Sequence, residues 1–401
     1  LVGVFKSWFS EKRSAADRRN AASTRLEDFD IGALLDRPQR KIDQRAARKL
    51  IAGKRVLITG AGGTIGSELA RQTAAFEPAM LAVIDASEFN LYQIDLELRE
   101  TGHAARLFSS LTDVCRAEHL GRVFEIVKPD IVLHAAAYKH VPIVEHNRCA
   151  GALVNVYGAK LVFDAAIAAK AESVVFVSSD KAVNPTNFMG ATKRIAELYA
   201  QALDVAQNDT RFVTVRFGNV FGSTGSVAPL FARQIARGGP ITVTHPDIQR
   251  FFMTTQEAVQ LVLQAASLDR DQKSIVTHDG RIFVLDMGEP VKILDLAKRM
   301  IEARGLVVGR DIEIKFSGLR AGEKLFEEIF LDTDKLIKTG ADGVLLASPA
   351  MIDLPLLNPR LTDVIDAAKS ATQGALDEAV HALVPEFSPA KGEGQSARQT
   401  P

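Results

Sequence analysis

Short apolar runs alternate with segments of helical periodicity through the first half of the chain. RVLIT (55–59), AMLAVID (79–85), IVLHAAA (131–137), SVVFVSS (173–179) and FVTVRF (212–217) read as buried strands, and RLFSSL (106–111) as a weaker one. Apolar positions at helical spacing fill the gaps, most clearly over 64–76, 116–127 and 189–206. Strands that alternate with helices predict right-handed βαβ units around a parallel sheet. After residue 220 the rhythm loosens. Short strands (241–244, 274–277, 282–285, 312–316) mix with helices (255–268, 292–304), which predicts a smaller lobe interleaved with the first. Residues 1–30 are polar and helix-prone, with no clear core face. The segment EFSPAKGEGQSARQTP (386–401) is rich in Pro, Gly, Ser and charge and reads as a disordered tail. No internal repeat is present.

Bulk composition narrows the classes. The chain has 401 residues, 47% hydrophobic and 24% charged, ordinary for a globular protein. Lys+Arg and Asp+Glu are both 49, so the net charge is zero, which argues against nucleic acid as the main partner. Two cysteines, Cys115 and Cys149, make no disulfide framework and fit a reducing compartment. No apolar run reads as long enough to span a bilayer. The chain starts at Leu1 rather than Met, which suggests a fragment. Its apolar start, LVGVFKSWF, is followed by basic EKRSAADRRN. By itself that segment reads as a frayed tail; the alternative is a juxtamembrane stub with its basic residues on the cytoplasmic side.

The first chemical signal is RVLITGAGGTIGSELARQ, a glycine-rich turn between a strand and a helix. Glycine lets the backbone turn tightly and approach a pyrophosphate, and the helix N-terminus then offers free N–H groups to it. The spacing is G-x-x-G-x-x-G, at Gly60, Gly63 and Gly66; position 65, where G-x-G-x-x-G would need its last glycine, is Ile65. This spacing resembles the short-chain dehydrogenase/reductase superfamily, especially its extended branch. Asp85 closes the next strand, where a carboxylate can hold both ribose hydroxyls and repel a 2′-phosphate, favouring NAD over NADP. Asp113, after the third strand, is placed to meet the adenine. The fold class expected is α/β: a Rossmann-type doubly wound parallel sheet with a smaller C-terminal substrate-binding lobe.

The second signal is SSDKAVNPTNFMGATKR (178–194), at the end of the fifth strand, where ligands sit in open α/β sheets. Ser179, Asp180 and Lys181 fall where chemistry is expected. Met189 and Lys193 are i and i+4 on the next helix and share a face. Short-chain dehydrogenases carry Tyr-x-x-x-Lys there; this chain has Met-x-x-x-Lys. A thioether has no proton to give or take, so either the site is dead or another group does the acid–base work, with Asp180 and Lys181 the obvious alternative.

The set of blocks IGALLDRPQRKID, VLITGAGGTIGSELARQ, VIDASEFNLYQID, KPDIVLHAAAYKHVPIVE, NVYGAK, SSDKAVNPTNFMGATKR, VRFGNVFGSTGSVAPLF, QRFFMTTQEAVQLV, IFVLDMGEPVKILDLA and LRAGEKLFEEI covers about Ile31 to Leu346. It resembles the bacterial polysaccharide-biosynthesis nucleotide-sugar 4,6-dehydratases, specifically the large, configuration-retaining UDP-N-acetylglucosamine 4,6-dehydratases, in which Met replaces Tyr. The resemblance implies that Gly60, Gly63, Thr64, Ile65 and Gly66 bind the NAD pyrophosphate, Asp85 the adenosine ribose, and Asp113 with Val114 the adenine. It implies that Ala135, Ala136 and Ala137 line the cofactor and that Lys193 holds the nicotinamide ribose. Lys139 and His140 would face the sugar or its phosphates; Asn219, Arg250, Arg320 and Glu323 would bind UDP. Ala321 and Thr64 stand where many relatives carry Pro and Ser.

The implied chemistry is C4 oxidation, C5 deprotonation by Lys181, loss of the C6 hydroxyl as water with a proton from Asp180, and hydride return to C6. Lys181 is expected to have its pKa lowered by neighbouring positive charge and burial. Asp180, Lys193 and Ser179 are the groups open for the C4 hydroxyl proton. The domains implied are an N-terminal extension (1–50), an NAD-binding Rossmann domain (51–220), a UDP-sugar lobe (221–348), a C-terminal helical segment (349–385) and the tail. Large relatives carry an N-terminal membrane region, so a cytoplasmic location, in the full-length protein at the inner face of the membrane, is implied, as is a homo-oligomer. Competing readings are a C5-inverting dehydratase or nucleotide-sugar 4-epimerase, and a non-catalytic NAD-sensing regulator. His140, Glu145, His146 and Cys149 match no metal-ligand spacing, so no metal is expected.

Overall fold

The computed structural model describes residues 29–35, 44–268, 280–330 and 336–389. The reading of residues 1–28 and the strand expected at 274–277 lie outside them. Six strands follow the apolar runs: β1 (Arg55–Thr59), β2 (Met80–Asp85), β3 (Leu107–Leu111), β4 (Ile131–His134), β5 (Ser173–Val177) and β6 (Arg211–Arg216). The second half adds β7 (Asn219–Val220), β8 (Ile241–Val243), β9 (Gln249–Arg250), β10 (Phe252–Met253), β11 (Ile282–Leu285), β12 (Val291–Lys292), β13 (Ile314–Phe316), β14 (Ile337–Lys338) and β15 (Val344–Ala347). Nine of these form one sheet in the order β14-β15-β11-β6-β5-β4-β1-β2-β3. All pairs from β11 to β3 are parallel, and β15 and β14 close the edge antiparallel.

The runs are continuously apolar because both faces are covered. In β1, Leu57 joins one core cluster while Val56 and Ile58 join the other. The first cluster is roofed by helices Ala117–Val127, Ala159–Ala168 and Phe188–Ala206, and by the C-terminal pair Leu354–Lys369 and Gln373–Leu383. Helices Arg45–Ile51, Thr64–Ala75, Glu88–Glu100 and Thr255–Ala266 roof the second. A third cluster belongs to the smaller lobe, between helices Val227–Ala236 and Ile293–Glu302 and strands β8 and β13. The strand order reverses between β1 and β4, where Thr59 Oγ1 and His134 Nδ1 lie 2.7 Å apart in the core. The crevice at such a reversal is where ligands bind in open α/β sheets.

Three features depart from the sequence reading. Strands β4 and β5 stop at His134 and Val177, short of the Ala and Ser residues read as strand, because Ala135, Ala137, Ser178 and Ser179 line the crevice, while Ala136, expected there too, packs its backbone against Gly60 instead. The segment read as a tail begins packed: Phe387 is 3% exposed, stacks on His381 (4.8 Å) and meets Phe188 edge-on (6.3 Å), and Ser388 N donates to Pro185 O. The polar composition of the whole segment masks that one anchor. Finally, the helix Arg148–Ala168 is long and apolar enough to cross a membrane, but half of its most apolar window is buried, with Val162, Phe163 and Ala166 in the core under the sheet.

The helix Phe188–Ala206 is buried without a break from Phe188 to Leu203. It therefore carries charge into the core. Glu197 Oε1 and Oε2 accept from Arg216 Nε (2.7 Å) and Nη2 (2.6 Å), and Glu197 also accepts from Ser178 Oγ (2.7 Å) and Arg194 Nη1 (3.2 Å). Burial works against the Glu197 carboxylate, but the Arg216 and Arg194 guanidinium groups outweigh it and hold its pKa below the usual range. Removing one partner of such a pair strands a buried charge. Glu197→Ala is expected to lower the unfolding free energy by about 3–5 kcal/mol, read as a fall in the urea midpoint; an unchanged midpoint would remove the pair as a stabilising element.

Candidate active site

The glycine turn leaves β1 at Gly60, which has φ +65°; a Cβ there would stand 2.6 Å from Ala136 Cα on the β4 loop. A Cβ on Gly66 would overlap Gly60 O. Both positions thus require glycine for close backbone packing. Gly63 is the N-cap of Thr64–Ala75 and supplies no side-chain cap. The first-turn N–H groups at Thr64, Ile65 and Gly66 have no intrahelical acceptor, and these residues line the crevice. That arrangement fits a pyrophosphate. Asp85 accepts from Gly62 N (2.9 Å) and Ser87 N (2.8 Å). A carboxylate has about four acceptor sites, so two remain for a ribose diol. Thr112 N donates to Asp85 O, which brings Asp113 beside it at the adjacent strand end. Asp113 Oδ1 accepts from Cys115 N (2.9 Å), and Val114 is buried. The donor set, the glycine cradle and the carboxylate together fit a dinucleotide.

The crevice has a volume of about 430 Å³. From the first-half loops it is lined by Gly60, Gly63, Ala135, Ala137, Lys139 and His140. The β5 side contributes Ser179, Asp180, Lys181, Met189 and Lys193, and the second half Asn219. The loop after β4 is held from below by Asn155, in a single π-helical turn of the 148–168 helix. Its Oδ1 accepts from Tyr138 N (2.8 Å) and its Nδ2 donates to Tyr138 O (2.9 Å) and Thr192 Oγ1 (3.0 Å). Across the mouth, Thr64 Oγ1 accepts from Thr224 N (3.3 Å).

The turn after β5 carries an acid–base cluster. Asp180 is 1% exposed. Its Oδ1 accepts from Ser179 Oγ (2.8 Å) and Lys181 Nζ (3.1 Å). Its Oδ2 is buried with no hydrogen-bond partner among the described residues, and a Cβ on Gly218 would stand 3.3 Å from it. Lys181 Nζ also lies 3.3 Å from Glu327 Oε1. Burial raises the Asp180 pKa, the Lys181 ammonium opposes this only in part, and Glu327 reinforces it. For Lys181 burial favours the amine, but the carboxyl groups of Asp180 and Glu327 outweigh it and the pKa is raised. This corrects the expectation of a lowered value: Arg250 does push it down, but the two carboxyl groups outweigh it. For Glu327 burial is likewise outweighed, by Lys181 and Arg250, and its pKa is lowered. At the rim, desolvation by the crevice walls and then the Lys181 charge lower the Lys139 pKa; desolvation and then Lys139 lower that of His140.

Met189, 3% exposed, faces the crevice as a thioether. One helical turn on, Lys193 Nζ donates to Val177 O (2.7 Å) and sits 4.4 Å from the Phe176 ring centroid. Arg250, Arg320 and Glu323 are not part of the crevice lining. The Arg250 guanidinium is turned into the neighbouring loop, donating to Gln249 O (2.7 Å) and Lys324 O (2.8 Å). Glu323 Oε2 accepts from Arg320 N (3.1 Å), while the Arg320 side chain points to solvent. Sequence reasoning missed Glu327 and Asn155. Each lies in a quoted block, LFEEI and NVYGAK, but no spacing rule ties either to the residues it contacts.

Comparison with known proteins agrees with this architecture. The family model described as polysaccharide biosynthesis protein matches residues 56–349. The Staphylococcus aureus capsular polysaccharide biosynthesis protein CapD is 45% identical over 305 residues, 76% of this chain and 49% of that protein. The chain therefore spans about half the length of that relative. A Campylobacter jejuni protein named UDP-N-acetylglucosamine 4,6-dehydratase (inverting) is 32% identical over 303 residues, 75% of this chain and 84% of that one. Among solved structures, Pen from Bacillus thuringiensis superposes with a TM-score of 0.66 at 32% identity, covering 76% of this chain and 92% of that one. The chain belongs to the polysaccharide biosynthesis protein family, on a Rossmann-type nine-stranded fold.

Proposed function

We propose that this chain is the catalytic part of an NAD-dependent 4,6-dehydratase acting on UDP-N-acetylglucosamine with retention at C5. The observation that carries the reading is the ion pair of buried Asp180 with partly buried Lys181, facing a crevice that has a thioether, Met189, in the tyrosine position. The relative named UDP-N-acetylglucosamine 4,6-dehydratase supports the substrate class; Met189 supports the retaining branch, since the resemblance to retaining enzymes includes it. NAD in the glycine cradle would supply the acceptor for a hydride from C4 and the donor that returns it to C6. The remaining work falls to side chains.

With C4 oxidised, the C5 proton becomes acidic enough for an amine to remove. Lys181 must first become neutral, and Asp180 Oδ1 is within reach of its proton at 3.1 Å. Transfer gives a neutral amine and a neutral carboxylic acid, the two forms that dehydration needs and that a low-dielectric site favours over separated charges. Lys181 then takes the C5 proton, the C5–C6 double bond forms, and Asp180 protonates the C6 hydroxyl as it leaves as water; once the hydride is back on C6, the Lys181 ammonium returns a proton to the same face of C5. For the C4 hydroxyl proton, Met189 is unable to serve. Burial, opposed in part by Glu197, lowers the Lys193 pKa to about 7, so its amine is partly neutral at physiological pH and Lys193 takes this role. A 4-epimerase would give the Asp180–Lys181 pair no task.

Two measurements test this. Proton NMR of the protein with UDP-N-acetylglucosamine should show a new 6-methyl signal, and Lys181→Ala should lower its rate at least about a hundredfold. C4 epimerisation without water loss would sink the proposal. The Lys193 state is tested by stability. Its folded pKa lies below the unfolded one, so between pH about 7 and 10.5 the unfolded chain binds more protons and stability rises with pH. The wild-type unfolding free energy minus that of Lys193→Met should climb through that window, by up to about 1.4 kcal/mol per pH unit. A flat difference would mean Lys193 stays charged when folded.

A further inference from the structure

The segment 320–328 of the second lobe is fastened to the turn that carries Asp180 and Lys181. Gly322 O accepts from Thr186 Oγ1 (3.1 Å) and Asn187 Nδ2 (3.2 Å). Lys324 Nζ donates to Val183 O (3.1 Å), and Asn184 Nδ2 donates to Glu328 Oε2 (3.2 Å). These contacts seat Glu327, its side chain 4% exposed, with Oε1 3.3 Å from Lys181 Nζ and 3.4 Å from Arg250 Nε. Glu327 is absent from the crevice lining, whereas Lys181 is part of it.

We propose that Glu327 is a positioning residue of the acid–base site: it holds the Lys181 ammonium between two carboxyl groups and sets the pH at which Lys181 becomes a free amine. The inference rests on the dehydratase reading above. It follows from the charges around Lys181. On its own turn stands Asp180, on the fastened segment Glu327, on β9 Arg250, and on the loop after β4 Lys139. Lys324 adds a positive charge behind Glu327. The two cations push Lys181 towards the amine and the two carboxyl groups hold it as the ammonium. Glu327 is the member of the negative pair that has no proton to deliver, so its task is to anchor Nζ and keep the proton on it until Asp180 accepts it. Four rotatable bonds separate Nζ from the backbone; an ion pair with Glu327, which lies outside the crevice lining, restricts them without occupying substrate space.

The sign of the effect is fixed. The reactive pair carries one proton, which passes from Lys181 to Asp180 and on to the C6 hydroxyl, so kcat/KM falls with pH as the free enzyme loses that proton through the Lys181 ionisation. Removing the Glu327 charge while Arg250 and Lys139 remain eases loss of that proton, so the falling limb moves to lower pH. The test is the pH dependence of kcat/KM and kcat for 6-methyl product formation by wild type, Glu327→Gln and Glu327→Asp, with thermal melts of each. Expected are a limb displaced downward by about one pH unit or more in Glu327→Gln, a smaller displacement the same way in Glu327→Asp, a lower plateau kcat and a KM close to wild type. If Glu327→Gln fails to fold, Glu327→Asp decides. A limb that stays in place while the plateau falls, or one that moves to higher pH, overturns the proposal. A wild-type enzyme that epimerises without dehydrating overturns the dehydratase reading and, with it, this inference.

Discussion

A partly buried ammonium group at the end of a sheet must be surrounded by negative charge, and that requirement organises this site. Each ion taken out of water costs several kcal/mol unless it is paired. Lys181 meets the condition with Asp180 from its own turn and Glu327 from a distant loop. Glu327 in turn needs Arg250, and the loop that carries it needs Thr186, Asn187 and Val183 to hold it down. The second lobe is therefore tied to the first at a place where both supply charge to the same nitrogen. The glycine turn completes the other wall, because Gly60 lets the β4 loop approach and Gly66 lets the helix start close to it.

A second buried ion set supports the first without touching it. Glu197, Arg216 and Arg194 fix the long helix that presents Met189 and Lys193, and Ser178 Oγ ties the same carboxylate to the residue just before Ser179 and Asp180. The C-terminal helices and Phe387 seal that helix from water. The dryness that lowers the Lys193 pKa to about 7 is thus a consequence of residues far from the crevice. In the proposed dehydratase, the missing tyrosine hydroxyl is compensated by burial: an amine too basic in water becomes usable when its charge is penalised.

Local signals were readable in the sequence and non-local ones were not. The six parallel strands, the glycine turn and the Asp180–Lys181 pair followed from apolar runs and from residues within a turn of one another. The charge state of Lys181 did not follow, because Glu327 reaches it only through the fold of the second lobe. The sequence reading found Arg250 but not its orientation, since its partners are backbone carbonyls and carboxylates of a loop far along the chain. Strands β4 and β5 ended earlier than their apolar composition suggested: alanines and serines that fit a strand also fit the wall of a crevice. The extension of the sheet by β11, β15 and β14 was hidden for the same reason as the packing of Phe387, namely that short segments acquire their neighbours from tertiary contacts.

The most direct test of the proposed chemistry follows one atom. UDP-N-acetylglucosamine labelled with deuterium at C4 is turned over by the purified protein in ordinary water, and the product is read by deuterium NMR and mass spectrometry. If the Asp180–Lys181 pair drives dehydration beside a bound dinucleotide, the deuterium appears at C6 of the product, in a CH2D group, with hydrogen from solvent at C5. Deuterium retained at C4 of an epimerised sugar would contradict the account.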